Sequence, residues 1–271
     1  MLFLKARPSP PLAGCIRMLW YASATGLTHA RERVLPNGCA QIIISLARES
    51  LTDCGADSGE EALGMARPMA PAILAGPRRR YDVIHTQDLS ELVGIIFRPG
   101  GLGPWLRQPA GVFAEQSLSL DAIFPSQPIR DHLRELRSPI EKLAALDALL
   151  TDRLRGRVAE RRPATVAALC ALRQNSVRHT STLSGMSERR LHQIFCEDVG
   201  LSPKVWSRVD RFQRILGALY TGADMPWDQL ALACGYYDQS HFSNDFRGFS
   251  GIDPSTYSRH RGLWRNHIPA P

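Results

Sequence analysis

No two cysteines stand in a C-x-x-C arrangement anywhere in the 271 residues. The six that occur (Cys15, Cys39, Cys54, Cys170, Cys196, Cys234) lie far apart, which argues against a zinc finger or a small disulfide framework. Long apolar runs are missing too, and none approaches the roughly 18 residues that a membrane span requires. At the N-terminus Lys5 and Arg7 follow the apolar start, the reverse of a secretory signal. A cytoplasmic protein without membrane contact is expected. Histidine is scarce in the first half, where His29 and His85 stand alone before Phe124 and no H-x-H occurs. Metal catalysis is therefore not expected there. Nucleophile elbows of the G-x-S-x-G type and G-x-x-x-x-G-K-S/T phosphate loops are absent as well. An enzyme is thus not expected, nor any metal or cofactor. His192 and Cys196, four apart on a helix, share a face, yet no second pair completes a site.

What is present is ordinary for a soluble globular chain: 44% hydrophobic residues and 22% charged ones, enough to bury a sizeable core. The net charge of +7 is unevenly spread. Up to Gly156 there are 18 Lys+Arg against 16 Asp+Glu, and the remainder carries 15 against 10. The basic excess lies in the C-terminal part, where it fits a polyanionic partner.

The two parts follow different periodicities. Before Phe124, Gln41 to Leu46 (QIIISL) and Leu92 to Phe97 (LVGIIF) are β-branched runs bounded by Pro36-Asn37-Gly38 and Pro99-Gly100-Gly101. Further strands are expected near Tyr81 to His85 and Ile16 to Tyr21. The Gly-, Ala- and acid-rich stretch from Thr52 to Pro71 reads as a mobile loop. From Gln127 the period turns helical. Ile129, Leu133 and Leu136 form one stripe, and Leu143, Leu146, Leu149, Leu150 and Leu154 form another after Pro139. The second stripe is either a dimer seam or a surface packed on the chain's own first half. A charged stretch from Arg155 to Arg162 ends at Pro163, and helices are expected from there to about His260. The expected organisation is multi-domain α+β. It comprises a β-rich domain over 1–125, a helical linker or dimerisation segment over 126–160, and an all-α domain over 161–271.

The helical part repeats itself at an offset of 51 residues. Leu191 and Phe195 match Phe242 and Phe246, and Gly200-Leu201-Ser202-Pro203 matches Gly251-Ile252-Asp253-Pro254. Each copy ends a helix at glycine and restarts one with a capping residue and a proline at the first position. Upstream of each lies a helix, a glycine (Gly185, Gly235) and a second helix capped by Ser187 or Asp238. That is helix-turn-helix grammar, twice. On the helix after Asp238, Phe242, Phe246 and Phe249 recur at i, i+4, i+7 and face inward, while Gln239, Ser240, Ser243, Asn244 and Arg247 occupy the other side. The first copy turns Leu191, Ile194 and Phe195 in, and Arg189, His192, Gln193 and Cys196 out. Amides and guanidinium groups can bond bidentately to base edges in a major groove that is wide enough for a helix. The connector from Ser202 to Tyr220, as a helix, spans roughly 28 Å, close to the about 34 Å between successive groove faces.

These residues resemble the AraC/XylS family of bacterial transcription regulators. "LALACGYYDQSHFSNDFRGFSGIDPSTY" is similar to the family signature around its second helix-turn-helix, and "SGMSERRLHQIFCEDVGLSPKVW" resembles the first. The resemblance covers about Pro163 to His260. It implies base-reading positions at Arg189, His192 and Gln193 in the first unit and at Gln239, Ser240, His241 and Asn244 in the second. Ser187, Asp238 and Arg247 stand where the family makes capping or backbone contacts. Lys204, near a helix start, is either a phosphate contact or a solvated side chain. Thr180 departs from the pattern, replacing the usual leucine beneath the first recognition helix.

For the first half, "VLPNGCAQIIISL" and "VGIIFRPGGLGPWL" look similar to the sensor half of a subgroup of the family. The resemblance implies a β-rich, cupin-like fold that senses an effector or mediates dimerisation. Arg98 and the Arg78-Arg79-Arg80 run either face an acidic effector or serve turns. The expected function is sequence-specific, effector-responsive transcription regulation. Its partners would be double-stranded DNA, a small-molecule effector, a second copy in a homodimer and, for an activator, RNA polymerase. Two alternatives remain: a DNA-alkylation-responsive regulator whose methyl acceptor is Cys39, and an adaptor that binds a protein partner without DNA.

Overall fold

The computed structural model describes residues 2–54, 67–221, 225–262 and 264–270. The chain opens with strand β1 (Leu2–Ala6), a short helix α1 (Pro10–Ala13) and β2 (Ile16–Ser23). Strands β3 (Arg31–Val34), β4 (Gln41–Ser45) and β5 (Leu51–Asp53) follow. Then come β6 (Arg67–Met69), β7 (Ala72–Ala75), β8 (Asp82–His85) and β9 (Leu92–Phe97). Helix α2 (Leu102–Leu106), a 3-10 turn at Ala110–Phe113 and β10 (Ser117–Ser119) lead to α3 (Gln127–Glu135) and α4 (Pro139–Arg153). The loop expected between Thr52 and Pro71 lies mostly outside the described residues. Its two ends are paired antiparallel as β5 and β6, with Leu51 opposite Met69.

Among the described residues the strands form a six-stranded antiparallel sheet, β1-β2-β9-β4-β7-β10, and two smaller sheets, with no closed barrel. Strand β9 occupies the centre and is buried on nearly every residue, because both of its faces are covered. Gly94 lets this happen: a Cβ there would lie 2.4 Å from the Ile42 carbonyl oxygen and 2.6 Å from the Trp20 ring. On one face, Ile42, Ile44, Val93 and Ile95 join Leu143, Leu146, Leu150 and Leu154 in a single core. The leucine stripe of α4 therefore packs on the chain's own sheet. Each such leucine contributes about 1.5–3 kcal/mol by leaving water. Ser138 and Glu141 start the helix with a reciprocal capping box.

The opposite face carries Trp20, Ala22, Ile73 and Leu92, with Met18, Ile43 and Ile96 beside them. Ile84 of β8 packs on this cluster, so the second sheet lies across from the first. That second sheet, β11-β3-β8, includes a strand from the far end of the chain, β11 (His267–Ala270), which the sequence reading assigns to the helical part. Its outer face supplies Leu35 and Ile268 to a different core, described below.

A wholly buried guanidinium ties α3 to the sheet. Arg130 donates through Nε to the Ser45 carbonyl (2.7 Å), through Nη1 to Glu49 (2.7 Å) and through Nη2 to the Arg48 carbonyl. Arg134 donates to the Leu46 carbonyl and to the other Glu49 oxygen, each at 2.7 Å. The hydrogen bonds from Arg130 and then Arg134 hold the Glu49 carboxyl down to about 2, although this side chain itself faces solvent. A folded value below the ordinary 4.5 means that the stabilisation is complete above that pH and fades as pH falls toward about 2. Glu49→Gln should therefore melt below wild type at about pH 6, with the gap closing by about pH 2. A gap that does not change with pH, followed by thermal melts across that range, would assign the loss to packing.

Candidate nucleic-acid interface

After a linker from Arg155, α5 (Pro163–Leu172), α6 (Val177–Leu183) and α7 (Glu188–Asp198) form the first unit. Helix α8 (Pro203–Tyr220) connects it to α9 (Trp227–Ala233), α10 (Gln239–Ser250) and α11 (Pro254–His260). The repeat read from the sequence has a direct backbone counterpart. Gly185, Gly200, Gly235 and Gly251 adopt left-handed φ values of 63°, 82°, 85° and 72°, a region that glycine enters without penalty. Each following helix is capped in the same way. Ser187 accepts from Arg190 N (3.2 Å), Asp238 from His241 N (2.6 Å), Ser202 from Val205 N (3.3 Å) and Asp253 from Thr256 N (2.8 Å).

Packing fixes which face of each helix is free. In the first unit Leu191, Ile194 and Phe195 are buried, with Phe195 edge-on to Trp206 at 6.2 Å. In the second, Phe242, Phe246 and Phe249 are buried among Phe212, Tyr236 and Tyr257. Helix α8 serves both cores. Trp206 belongs to the first, Val209, Phe212 and Leu216 to the second, and Val205 touches each.

What remains outside is largely the polar set. Arg189, His192 and Gln193 are exposed on α7, and Gln239, Ser240, Asn244 and Arg247 on α10. Ser187, Asp238 and Lys204 are exposed too, the first two with their side-chain oxygens engaged as caps. His241 is half-buried, its ring 5.3 Å from Tyr236 and its Nε2 3.9 Å from Asp245. Gln193 is already bonded within its own helix: its carbonyl accepts from Arg190 (3.0 Å) and its amide donates to Glu197 (2.8 Å). His192 Nδ1 lies 3.6 Å from Cys196 Sγ, and no group of three metal-ligating side chains that could hold a metal occurs among the described residues.

One important residue escaped the sequence reading. Asp245 sits on α10 between Phe242 and Phe246, buried, and takes Arg208 of α8 bidentately at 2.5–3.2 Å. A lone carboxylate next to an apolar stripe was the available signal, because such a charge must find a cation. The pair locks the second recognition helix to the connector. Each unit also buries one hydroxyl without a hydrogen-bond partner among the described residues, that of Tyr236 in the second and of Thr180 in the first. Thr180 lies on α6 and is fully buried.

The N-terminal half meets the C-terminal turn of each recognition helix. A Cβ on Gly111 would lie 2.5 Å from the Cys196 carbonyl oxygen, and one on Gly200 would lie 2.6 Å from Pro77. Tyr81 N donates to the Phe249 carbonyl (3.1 Å), and its ring abuts Gly251. The predicted reading residues are not part of these contacts. The arginines considered for an acidic effector have structural partners. Arg98 donates to the Ala13 carbonyl (2.9 Å), Arg78 to Ser117 (2.7 Å), and Arg79 lies 3.7 Å from Glu115. Cys39 is buried, and burial pushes its thiol up to about 11, a poor setting for a nucleophile.

A family model described as a helix-turn-helix domain matches residues 181–260, the span that contains both recognition helices. This part of the chain is a helix-turn-helix domain. That domain is a DNA-binding module of AraC type. A second model, for a domain of unknown function (DUF6597), matches residues 4–119. No curated protein matches. Among solved structures, the C-terminal domain of AraT, a response regulator from Geobacillus stearothermophilus, is similar at 19% identity, over 38% of this chain and 89% of that one, with a TM-score of 0.36. An AraC-type transcriptional regulator from Chromobacterium violaceum is similar at 24%, over 37% and 96%, with a TM-score of 0.33. ToxT from Vibrio cholerae O395 aligns over 95% of this chain and 97% of its own, at 13% identity and a TM-score of 0.45. Among the described residues no helix is long and apolar enough to cross a membrane.

Replacing the unpartnered hydroxyl should help the first unit. A buried unsatisfied polar group costs about 1–3 kcal/mol, so Thr180→Val is expected to raise stability by about 1 kcal/mol. Denaturant midpoints measure this, and a lower midpoint would mean that the hydroxyl is satisfied in solution.

Proposed function

We propose that this regulator reads a duplex with two helices, α7 and α10, and that its N-terminal half adjusts that reading in response to a small molecule. One observation carries the first part. Both helices have their apolar faces buried and their C-terminal turns against the N-terminal half, while Arg189, His192, Gln193, Gln239, Ser240 and Asn244 stay exposed to solvent. Helices of this kind present their N-terminal residues to base edges. In this reading Arg189, His192 and Gln193 contact one groove segment, and Gln239, Ser240, His241 and Asn244 the next. Ser187, Asp238, Arg247 and Lys204 contact the backbone or shape the helix starts. Helix α8, 18 residues long, spaces the two. Its length of about 27 Å at 1.5 Å per residue suits neighbouring groove faces.

The effector response is supported by position. The sensor sheet and the second unit share a core through Leu35 and Ile268, so a change between the sheets reaches the reading helices. A homodimer and contact with RNA polymerase belong to the same proposal.

Gln239→Ala or Asn244→Ala should weaken the selected duplex by about 1–3 kcal/mol and leave random duplex nearly unchanged. Equal losses on both, in competition binding, would show that these amides do not read bases. The units should also differ in strength. Thr180 loosens the first from beneath, and Gln193 must break two hydrogen bonds to reach a base. Scrambling the half-site of the second unit is therefore expected to cost more affinity than scrambling that of the first, and equal losses would refute the asymmetry.

A further inference from the structure

The end of the chain leaves the helical half and enters the sensor. Strand β11 runs antiparallel to β3, with His267 opposite Val34 and Ala270 opposite Arg31. Just before it, Leu35 N donates to the Asn266 carbonyl (2.7 Å), and Asn266 Nδ2 donates to the Leu35 carbonyl (3.0 Å). The buried Glu32 of β3 joins His267 Nδ1 at 2.7 Å and His29 Nε2 at 2.8 Å. The segment faces two ways. Ile268 is buried in the core of the second unit, whereas Trp264 packs on the cluster between the two sheets. The Trp264 ring stands 5.7 Å from Phe3 and 4.9 Å from His267. Phe3 in turn lies 6.4 Å from Trp20. Trp20 is 8% exposed, and its indole N–H has no hydrogen-bond partner among the described residues.

We propose that residues 264–270 form a releasable strap, with Trp264 as a built-in occupant of the inter-sheet space. While seated, the strap holds the second reading unit against the sensor. A flat apolar ligand bearing one hydrogen-bond acceptor, satisfied by the Trp20 N–H, competes with Trp264 and unseats it. The proposal rests on reading the N-terminal half as a sensor.

Three features make the strap releasable. It is an edge strand of four residues, so only one ladder must open. Pro269 within it falls at a non-hydrogen-bonded position opposite Glu32, so its missing N–H faces away from β3 and no further strand is held along that edge. Its only buried side chain among the described residues is Ile268. Unseating it would be felt where reading occurs. Tyr257 of α11 donates to the Arg265 carbonyl (2.8 Å), and Arg265 donates to Gln213 of α8 (3.0 Å), so the strap is bonded both to the connector and to the helix after α10.

The test uses the full chain and Trp264→Ala, with indole as the probe for the vacated ring position. Amide hydrogen exchange at Ile268 and Ala270 should quicken at least about tenfold once the local ladder opens more often. Affinity for a duplex selected from random sequence should shift at least about threefold, since the strap and the reading helices share a core. Millimolar indole should return both values toward wild type. Unchanged exchange overturns the proposal, as does faster exchange with unaltered duplex affinity, which would make the strap purely structural. If Trp264→Ala does not fold cooperatively, Trp264→Phe takes its place with smaller shifts expected, and no shift refutes the strap. A wild-type chain that selects no duplex refutes the DNA reading instead. The exchange and indole measurements then decide the strap by themselves, and indole that fails to slow the exchange overturns it.

Discussion

The molecule hangs on a narrow three-stranded sheet placed between two apolar cores. Strands β8 and β11 give Ile84 to the interior of the N-terminal half and Ile268 to the core around Phe212 and Phe246, which Leu35, just after β3, also enters. Period-two alternation makes this possible, since successive residues of a strand face opposite sides. A sheet covered on both faces cannot shift relative to one core without disturbing the other, because packed interiors resist gradual deformation. The two halves are therefore joined by a shared wall.

Within the reading half, duplication has produced two units of unequal finish. Caps, turn glycines and inward aliphatic or aromatic residues recur in both, so both recognition helices are placed by the same local rules. Beyond that the units diverge. The second has a cluster of edge-on aromatic rings and a buried Asp245, held by Arg208, that sets the roll of α10 on α8. The first has fewer rings and Cys196 in contact with the N-terminal half, while among the described residues each unit buries one unpartnered hydroxyl, Thr180 or Tyr236. A buried carboxylate is costly to leave without its cation, so α10 is the more firmly oriented of the two helices.

Local patterns disclosed much of this. The strands at Gln41 and Leu92, the helix stripes and the linker before Pro163 follow from periodicity and turn chemistry. The phase of each recognition helix follows from the spacing of Phe242, Phe246 and Phe249. Several strands were not legible. Leu2–Ala6 and Ala72–Ala75 are short and lack β-branched runs, and Arg31–Val34 is mostly charged. They hold their conformation because neighbouring strands satisfy their backbone groups. The α4 leucine stripe showed that a face had to be covered without showing by what, and the sheet covers it.

By itself the sequence determined the duplicated units, their caps, their buried faces and the identity of the polar side chains left outside. All of these depend on residues within one or two turns of each other. Only the tertiary structure decided that Asp245 meets Arg208, that the N-terminal half touches the ends of both α7 and α10, and that β11 returns to a sheet begun more than two hundred residues earlier. Those are long-range contacts, chosen by competition among many apolar and hydrogen-bonding surfaces, and no local period encodes which of them wins.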